Sequence, residues 1–418
     1  MIKSCFLILK ELKYKSMIHN FQFRIYPSPS QVLTLENWLA SLCRTYNKFL
    51  GDRKNYKQSG RIFTSYSQGY ELPELKRMNP DLALVPSTAC QEITKRLDKV
   101  FQAFFRRCKS GETPGFPRFK SLDRFNSLTI VQHGWKHIPG VKCCQGRLEI
   151  SKLGSMPVKD WKLLPEDSKV KQVTLKRKAG QWFAVFCCNL PDPKPFSKTG
   201  KSIGLDVGLK TLVMDSNGKS YGDLKPLKKK ELKIRTLQKN LSRKKKGSNR
   251  RQQAKVHLSK AHASLTRAKV YQLHQISNEL VRTNDLIAVE NLNVKGLQEK
   301  KGPGEKGLHR NIGLASWATF FALLSYKAEE AGRTFVKVDP RGTSQECSAC
   351  GALVPKDLSV RTHVCGCGLT MDRDQNAARN ILQRALQAPR GGGSPDAPGS
   401  REDQRKKKSS RARKISLY

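Results

Sequence analysis

The chain has 418 residues, enough for two or three domains that each bury a core of their own. Its 79 Lys and Arg against 34 Asp and Glu leave a formal charge of +45, an excess that repels itself unless a polyanion compensates it, so nucleic acid is the expected partner. No apolar run approaches the roughly 20 residues a membrane helix needs, and the basic residues are spread along the whole sequence, which argues against a membrane.

In chain order, Cys5-Phe-Leu-Ile-Leu9 is too short for a signal-peptide core and runs into Lys10, Lys13 and Lys15. Residues 1–16 therefore read as an N-terminal extension, with Met17 as an alternative start. Alternating Phe21, Phe23 and Ile25 predict a strand over 17–27, closed by Pro27. After Ser30, the face Leu35, Trp38, Leu39, Leu42, Tyr46 and Phe49 predicts a helix. A second helix is predicted over about 88–109, with Ile93, Leu97, Val100, Phe101, Phe104 and Phe105 as its core stripe. Its other side carries Lys95, Arg96, Lys99, Arg106, Arg107 and Lys109 beside Pro114-Gly-Phe-Pro-Arg-Phe-Lys120, a combination that favours nucleic-acid contact over a merely solvated face.

From 125 to 190 the pattern turns β-like. Leu128–Val131, Arg147–Ile150, Val170–Leu175 and Trp182–Phe186 are separated by Gly and Pro and predict a small antiparallel barrel or sheet, which the strand at 17–27 completes. Pro191-Asp-Pro-Lys-Pro195 reads as a linker. Beyond it, Ser202–Val207 and Thr211–Asp215 form a hairpin continuing through Ser216-Asn-Gly-Lys219 to Tyr221. Residues 225–283 read as helical and very basic, and Leu286-Ile-Ala-Val289 as a buried strand. An amphipathic helix is expected over 314–331, then a buried strand Thr334–Val338. The tail from Pro389, rich in Gly, Pro, Lys and Arg, reads as disordered.

Three short segments carry the chemistry: Ile203-Gly-Leu-Asp206-Val-Gly-Leu-Lys210, Leu286-Ile-Ala-Val-Glu290-Asn-Leu and Asp372-Arg-Asp374-Gln-Asn-Ala-Ala. Each places a carboxylate where an apolar run meets a polar turn. Converging acidic oxygens are what divalent cations need to be held against a phosphate. Asp206, Glu290 and Asp374 lie 84 residues apart at each interval, so only tertiary folding can join them. Taken singly, Asp374 could be a helix N-cap and Asp206 a turn residue, but Glu290 after four apolar residues needs a partner. Asp374 is preferred over its neighbour Asp372 because it stands at the helix start. Two Mg²⁺ ions at these acids would activate water and stabilise a leaving oxygen, as in RNase H-like sites.

Twelve cysteines divide into two groups. Eight are single or adjacent (Cys143-Cys144, Cys187-Cys188) in apolar surroundings and read as buried thiols of a reduced, cytosolic protein. The other four, Cys347-x-x-Cys350 and Cys365-Gly-Cys367, fall within 21 residues and read as a structural zinc ribbon. The second pair is one residue shorter than usual, and His363 is a reserve ligand.

These residues resemble the TnpB family, the OrfB-type proteins of bacterial insertion sequences and relatives of type V CRISPR effector nucleases. The likeness runs from about 17 to 388. It rests on Phe23-Arg-Ile-Tyr-Pro27, Gly115-Phe-Pro-Arg-Phe-Lys120, Gly204-Leu-Asp206-Val-Gly-Leu, Val289-Glu290-Asn-Leu, Thr343-Ser-Gln-Glu-Cys-Ser-x-Cys-Gly351 and Asp372-Arg-Asp374-x-Asn-Ala-Ala-x-Asn-Ile. The resemblance implies a mixed α/β and β multidomain fold. Its RNase H-like (RuvC-like) nuclease domain would cover 200–345 and 371–388, with a zinc ribbon at 346–370 inserted before Asp374. A wedge-like β-barrel over 17–28 and 113–195 would hold a helical recognition lobe at 29–112. It further implies Asp206, Glu290 and Asp374 as catalytic magnesium ligands of an RNA-guided DNA endonuclease. The guide RNA would come from the element's own end, and the target would be double-stranded DNA with a short adjacent motif, in the bacterial cytoplasm at the nucleoid. The alternatives are a strand-transfer transposase or accessory protein and a guide-bound repressor that does not cut. The order Asp, Glu, Asp argues against the first, because common acidic-triad transposases run Asp, Asp, Glu; the complete carboxylate set argues against the second.

Overall fold

The computed structural model describes residues 17–55, 60–131, 134–138, 146–159, 164, 168–191, 193–299, 305–357 and 360–387. The expected extension at 1–16 and tail at 389–418 lie outside these residues, as do Cys143 and Cys144.

In the N-terminal half, β1 (Met17–Ile25) leads into α1 (Pro29–Lys54). Ser28 starts this helix by a reciprocal cap: its hydroxyl accepts from Gln31 N (3.2 Å), and the Gln31 side chain accepts from Ser28 N (3.0 Å). The whole predicted face, Leu35 to Phe49, is buried. Among the described residues, three short helices, α2 (Ser65–Tyr70), α3 (Leu72–Met78) and α4 (Pro80–Ala83), precede α5 (Ser87–Lys109). Six strands follow: β2 (Ser127–Val131), β3 (Trp135–Ile138), β4 (Gly146–Ile150), β5 (Gly154–Val158), β6 (Lys169–Lys178) and β7 (Gln181–Leu190). With β1 they form one antiparallel sheet in the order β2-β6-β7-β1-β5-β4-β3, and β1 pairs along its whole length with β7, Met17 opposite Leu190 through Ile25 opposite Trp182. The outer strands β2 and β3 are consecutive in the chain. One apolar core joins this sheet to α1 and the first half of α5.

Two expectations fail in α5. Only its first half is core, with Ala89, Cys90, Ile93, Thr94 and Leu97 buried; Phe101 and Phe104 are half-buried and Phe105 is exposed. The stripe outruns the sheet it packs on, so its last turns emerge from the core. Arg96 does not belong to a nucleic-acid face either: its guanidinium donates to Ser127 O (3.0 Å) and stacks on Phe125. Nor are all the scattered cysteines buried. Cys43, Cys90 and Cys188 are, but Cys187 is intermediate and Cys108, on the emerging end of α5, is exposed.

The second half is built on a five-stranded sheet of β8 (Ser202–Val207), β9 (Thr211–Asp215), β10 (Ser220–Asp223), β11 (Leu286–Glu290) and β12 (Thr334–Val338), ordered β10-β9-β8-β11-β12. The first three strands are antiparallel, whereas β8, β11 and β12 are parallel. The basic region 225–283 is helical as expected and consists of α6 (Lys225–Ser242) and α7 (Asn249–Thr283). Gly247 at φ +86° allows the reversal, Ser248 caps α7, and Arg251 donates to Leu241 O (2.8 Å) and Lys244 O (2.9 Å), closing the end of α6. After α8 (Val294–Glu299), α9 (Glu305–Ala315) ends at left-handed Ser316, and the helix expected over 314–331 is α10 (Trp317–Glu330). A hairpin of β13 (Thr362–Val364) and β14 (Thr370–Asp372) then leads into α11 (Arg373–Gln387).

The sheet is covered on both faces. Ile203, Leu205, Ile287 and Val289 share a core with α7 and α10, and Ala288 and Val338 pack against Ile381 and Ala385 of α11. Gly204 explains how closely α11 approaches. A Cβ there would sit 2.1 Å from Ala378 O and 2.7 Å from Leu382 N, so the helix backbone lies directly on β8.

Candidate metal centres and their relatives

Strand alternation decides where the acids point. Since Ile203, Leu205, Ile287 and Val289 face α7 and α10, their neighbours Gly204, Asp206, Ala288 and Glu290 lie on the α11 face. The parallel register pairs Ala288 with Gly204 and Val289 with Leu205. The next position on each strand is Glu290 and Asp206, side by side where the strands end. Asp374 sits in the first turn of α11 on the same face, with its Oδ2 4.0 Å from the position a Cβ on Gly208 would occupy, just past Asp206.

The electrostatics report the same proximity. Burial pushes the Asp206 carboxyl well above its ordinary value, and the charges of Glu290 and Asp374 push it further. Glu290 is also raised, chiefly by burial, although a hydrogen bond from the Thr343 hydroxyl and the charge of Arg384 partly oppose this. Asp374 is contacted by Arg361 (3.5 Å) and Arg373 (3.4 Å). Two carboxylates that oppose the ionisation of a third, Asp206, offer hard oxygen donors of the kind that suit Mg²⁺.

The helix start differs from expectation. α11 begins at Arg373, and its cap is Asp372, whose Oδ1 accepts from Asp374 N (2.7 Å) and Gln375 N (3.3 Å). Asp372 is thereby committed to the backbone, which leaves Asp374 in the first turn facing the other acids.

The four cysteines meet. Their sulfurs all lie within 4.8 Å of one another, with Cys347 to Cys367 at 3.7 Å and Cys350 to Cys365 at 3.6 Å. Four thiolates about 2.3 Å from one tetrahedral zinc stand about 3.8 Å apart, so the donor set and spacing fit that ion. Gly351 at φ +75° closes the first turn, with Gly351 N donating to Cys347 O (2.9 Å); Gly368 at φ +87° closes the second, donating to Cys365 O (3.0 Å). The short Cys365-Gly-Cys367 pair therefore does not prevent convergence. Burial opposes ionisation of Cys347, yet the N–H groups of Cys350 and Ala349 help bring its thiol down to about 5. The N–H of Ala352 favours a thiolate at Cys350, but sharing with Cys365, Cys367 and Cys347 pushes that thiol up to about 12. Sulfurs so close cannot all carry charge without a cation between them. His363 is buried, lies outside the quartet and has Lys356 Nζ against its Nδ1.

The sequence reading missed the braces between the two centres. Asn376 accepts from Ser348 N (2.9 Å) and donates to Glu346 O (2.7 Å). Asn380 donates to Thr343 O (2.9 Å) and Glu346 O (2.7 Å). Both are buried, so α11 is tied to the loop that carries Thr343 and opens the cysteine cluster. Two asparagines four residues apart beside Ala377 and Ala378 on an otherwise apolar helical face were the available signal.

A mixed α/β protein with a four-thiol cluster set beside acids on the ends of its central strands is thus defined by geometry. Three family models match it: a "Cas12f1-like, TNB domain" over residues 317–381, a "Probable transposase" over 185–301 and a "Helix-turn-helix domain" over 17–61. Among the described residues that last span holds β1 and α1. A Streptomyces pristinaespiralis protein named "Putative RNA-guided DNA endonuclease" is 30% identical over 385 residues, covering 88% of this chain and 89% of the relative. An Escherichia coli protein, "Putative RNA-guided DNA endonuclease InsQ", is 27% identical over 87% of this chain and 91% of its own. The solved Cas12f1–sgRNA–target DNA complex superposes with a TM-score of 0.55 at 13% identity, covering 88% of this chain and 99% of that one, a likeness of fold. The chain belongs to the TnpB family of OrfB-type proteins. Among the described residues no helix is long and apolar enough to cross a membrane.

Proposed function

We propose that the chain is an RNA-guided DNA endonuclease whose RuvC-like domain hydrolyses phosphodiester bonds at Asp206, Glu290 and Asp374. The observation that carries this reading is the position of Asp206 and Glu290 at matched ends of adjacent parallel strands, under the first turn of the helix bearing Asp374. The strand order, an antiparallel meander followed by two parallel strands, supports an RNase H-like domain. In this reading residues 200–345 and 371–388 form that domain, and 346–370 form a structural zinc ribbon held by Cys347, Cys350, Cys365 and Cys367. The seven-stranded sheet, with 17–28 and 113–195, acts as the wedge, and 29–112 as the recognition lobe.

The three carboxylates would hold two Mg²⁺ ions. Bound there, magnesium supplies Lewis-acid stabilisation of the phosphate and a more acidic water. The chain's own part is to orient the acids: Thr343 holds Glu290 by one oxygen, and Asp372 fixes the first turn of α11. Between Leu232 and Ser277 the α6–α7 hairpin carries no acidic residue, so it suits a phosphate backbone whose sequence is read by base pairing rather than by side chains. The test is cutting of matching duplex DNA in Mg²⁺ by the chain purified with its co-expressed RNA. Cutting that requires the RNA supports the reading, and cutting that persists without any RNA contradicts it.

A further inference from the structure

Where α5 outruns its core, it builds a second feature. Phe101 and Phe104 meet Phe116 edge-on, with ring centroids 5.7 and 5.2 Å apart. Around this cluster lies a cavity of about 380 Å³, lined by Arg53, Ile62, Phe63, Phe101, Phe105 and Phe116. That volume falls in the range of small-ligand sites, roughly 300–1,000 Å³. Ile62, Phe105 and Phe116 are 85, 55 and 46% exposed, a contiguous apolar surface that calls for an occupant.

Arg53 shows what that occupant must offer. Its side chain is more than nine-tenths buried. Nε donates to Gln68 (2.9 Å) and Nη1 pairs with Asp98 (2.6 Å). The third nitrogen, Nη2, is buried with no hydrogen-bond partner among the described residues. A ligand here needs flat apolar faces and an acceptor at one edge. The rim adds charge: Lys99–Lys109 holds four basic residues and no acidic one, and Lys54 Nζ sits over the rings of Phe116 (5.7 Å) and Phe119 (4.3 Å). Aromatic slots between cations suit bases whose flanking phosphates stay outside. A purely apolar peptide would leave both Arg53 Nη2 and the rim uncompensated.

We infer that this cavity captures one unpaired nucleobase of the bound nucleic acid, stacked against Phe105 and Phe116 with an acceptor edge on Arg53 Nη2. The inference rests on the proposed function only in requiring that a nucleic acid be bound. It would make the N-terminal half a reader of single-stranded or flipped-out positions, apart from the carboxylate centre.

The test uses the full chain freed of RNA at high salt. Fluorescence anisotropy compares a labelled oligothymidylate with a fully abasic strand of equal length and charge. The intact chain should prefer the base-bearing strand by about 5- to 150-fold, the value of one stacked base. Phe105→Ala and Phe116→Ala, at partly exposed positions that leave the core intact, should remove most of that preference and leave abasic binding unchanged; Phe105→Trp should keep it. An equal preference in both alanine variants overturns the inference. So does a change of oligomeric state in those variants with the preference intact, since the cavity would then seat a second copy or the chain's own tail. RNA-dependent cutting, scored separately, shows whether the nuclease reading stands when the pocket does not.

Discussion

The four sulfurs and the three carboxylates proposed to hold magnesium are assembled in opposite ways. The thiols come from two turns within 21 residues, each closed by a glycine, and their spacing is local. The acids come from strands and a helix 84 residues apart at each interval, and they meet only because β8 and β11 run in register and α11 lies against Gly204. The first centre depends on turn geometry and the second on the whole sheet. The asparagine braces from α11 make them one mechanical unit, so damage to the ribbon should reach the acids.

The largest expected effect separates chemistry from scaffold. Asp206→Ala should slow single-turnover cutting by about 10³-fold or more, the scale of several kcal/mol of metal-ion stabilisation, while RNA and DNA affinity stay within about twofold. Next, Cys350→Ser should remove the zinc that elemental analysis is expected to find at about one per chain in the parent, because structural sites need all four ligands. It should also lower the melting temperature and cutting together; a variant that lost zinc yet cut normally would uncouple the two centres. Thr343→Val leaves the sheet intact and removes the hydroxyl on Glu290, so the Mg²⁺ concentration for half-maximal cutting should rise about 10- to 100-fold. Gly204→Ala probes the scaffold alone: overpacking against α11 should cost about 1–3 kcal/mol in denaturant unfolding.

The smallest effect is a pH dependence. Asp206 and Glu290 hold their protons more tightly folded than unfolded. Their penalty is therefore absent below the unfolded carboxylate value, near 4, and grows as pH rises toward the raised folded values. Without added Mg²⁺, melting temperature should fall across that window. Asp206→Asn should flatten the fall, and Mg²⁺ should reverse it in the parent only.

Legibility followed the same division. The cysteine quartet could be read from spacing because its geometry is local, and α1 because its apolar period continues into a core of matching length. Periodicity could not show where α5 leaves its core, since Phe104 and Phe105 keep the helical spacing after the sheet beneath them has ended. It also missed the left-handed residue at Ser316, which no composition signal marks. At the third acid, nearness to the helix start did not reveal which aspartate caps it: Asp372 turned its oxygen to the backbone, and only the hydrogen bonds distinguish the pair. Thr343 and the two asparagines were legible as polar residues in motifs, but not as the ties that hold those motifs together.

The shared carboxylate pocket is tested most directly by Mn²⁺ titration, followed by electron paramagnetic resonance, of the RNA-loaded chain and of matched Asp206→Asn and Glu290→Gln preparations, so that cations held by the RNA cancel. Saturable binding in the parent that disappears in both variants alike is the expected result. Equal uptake in all three preparations would mean that these side chains do not form one cation site.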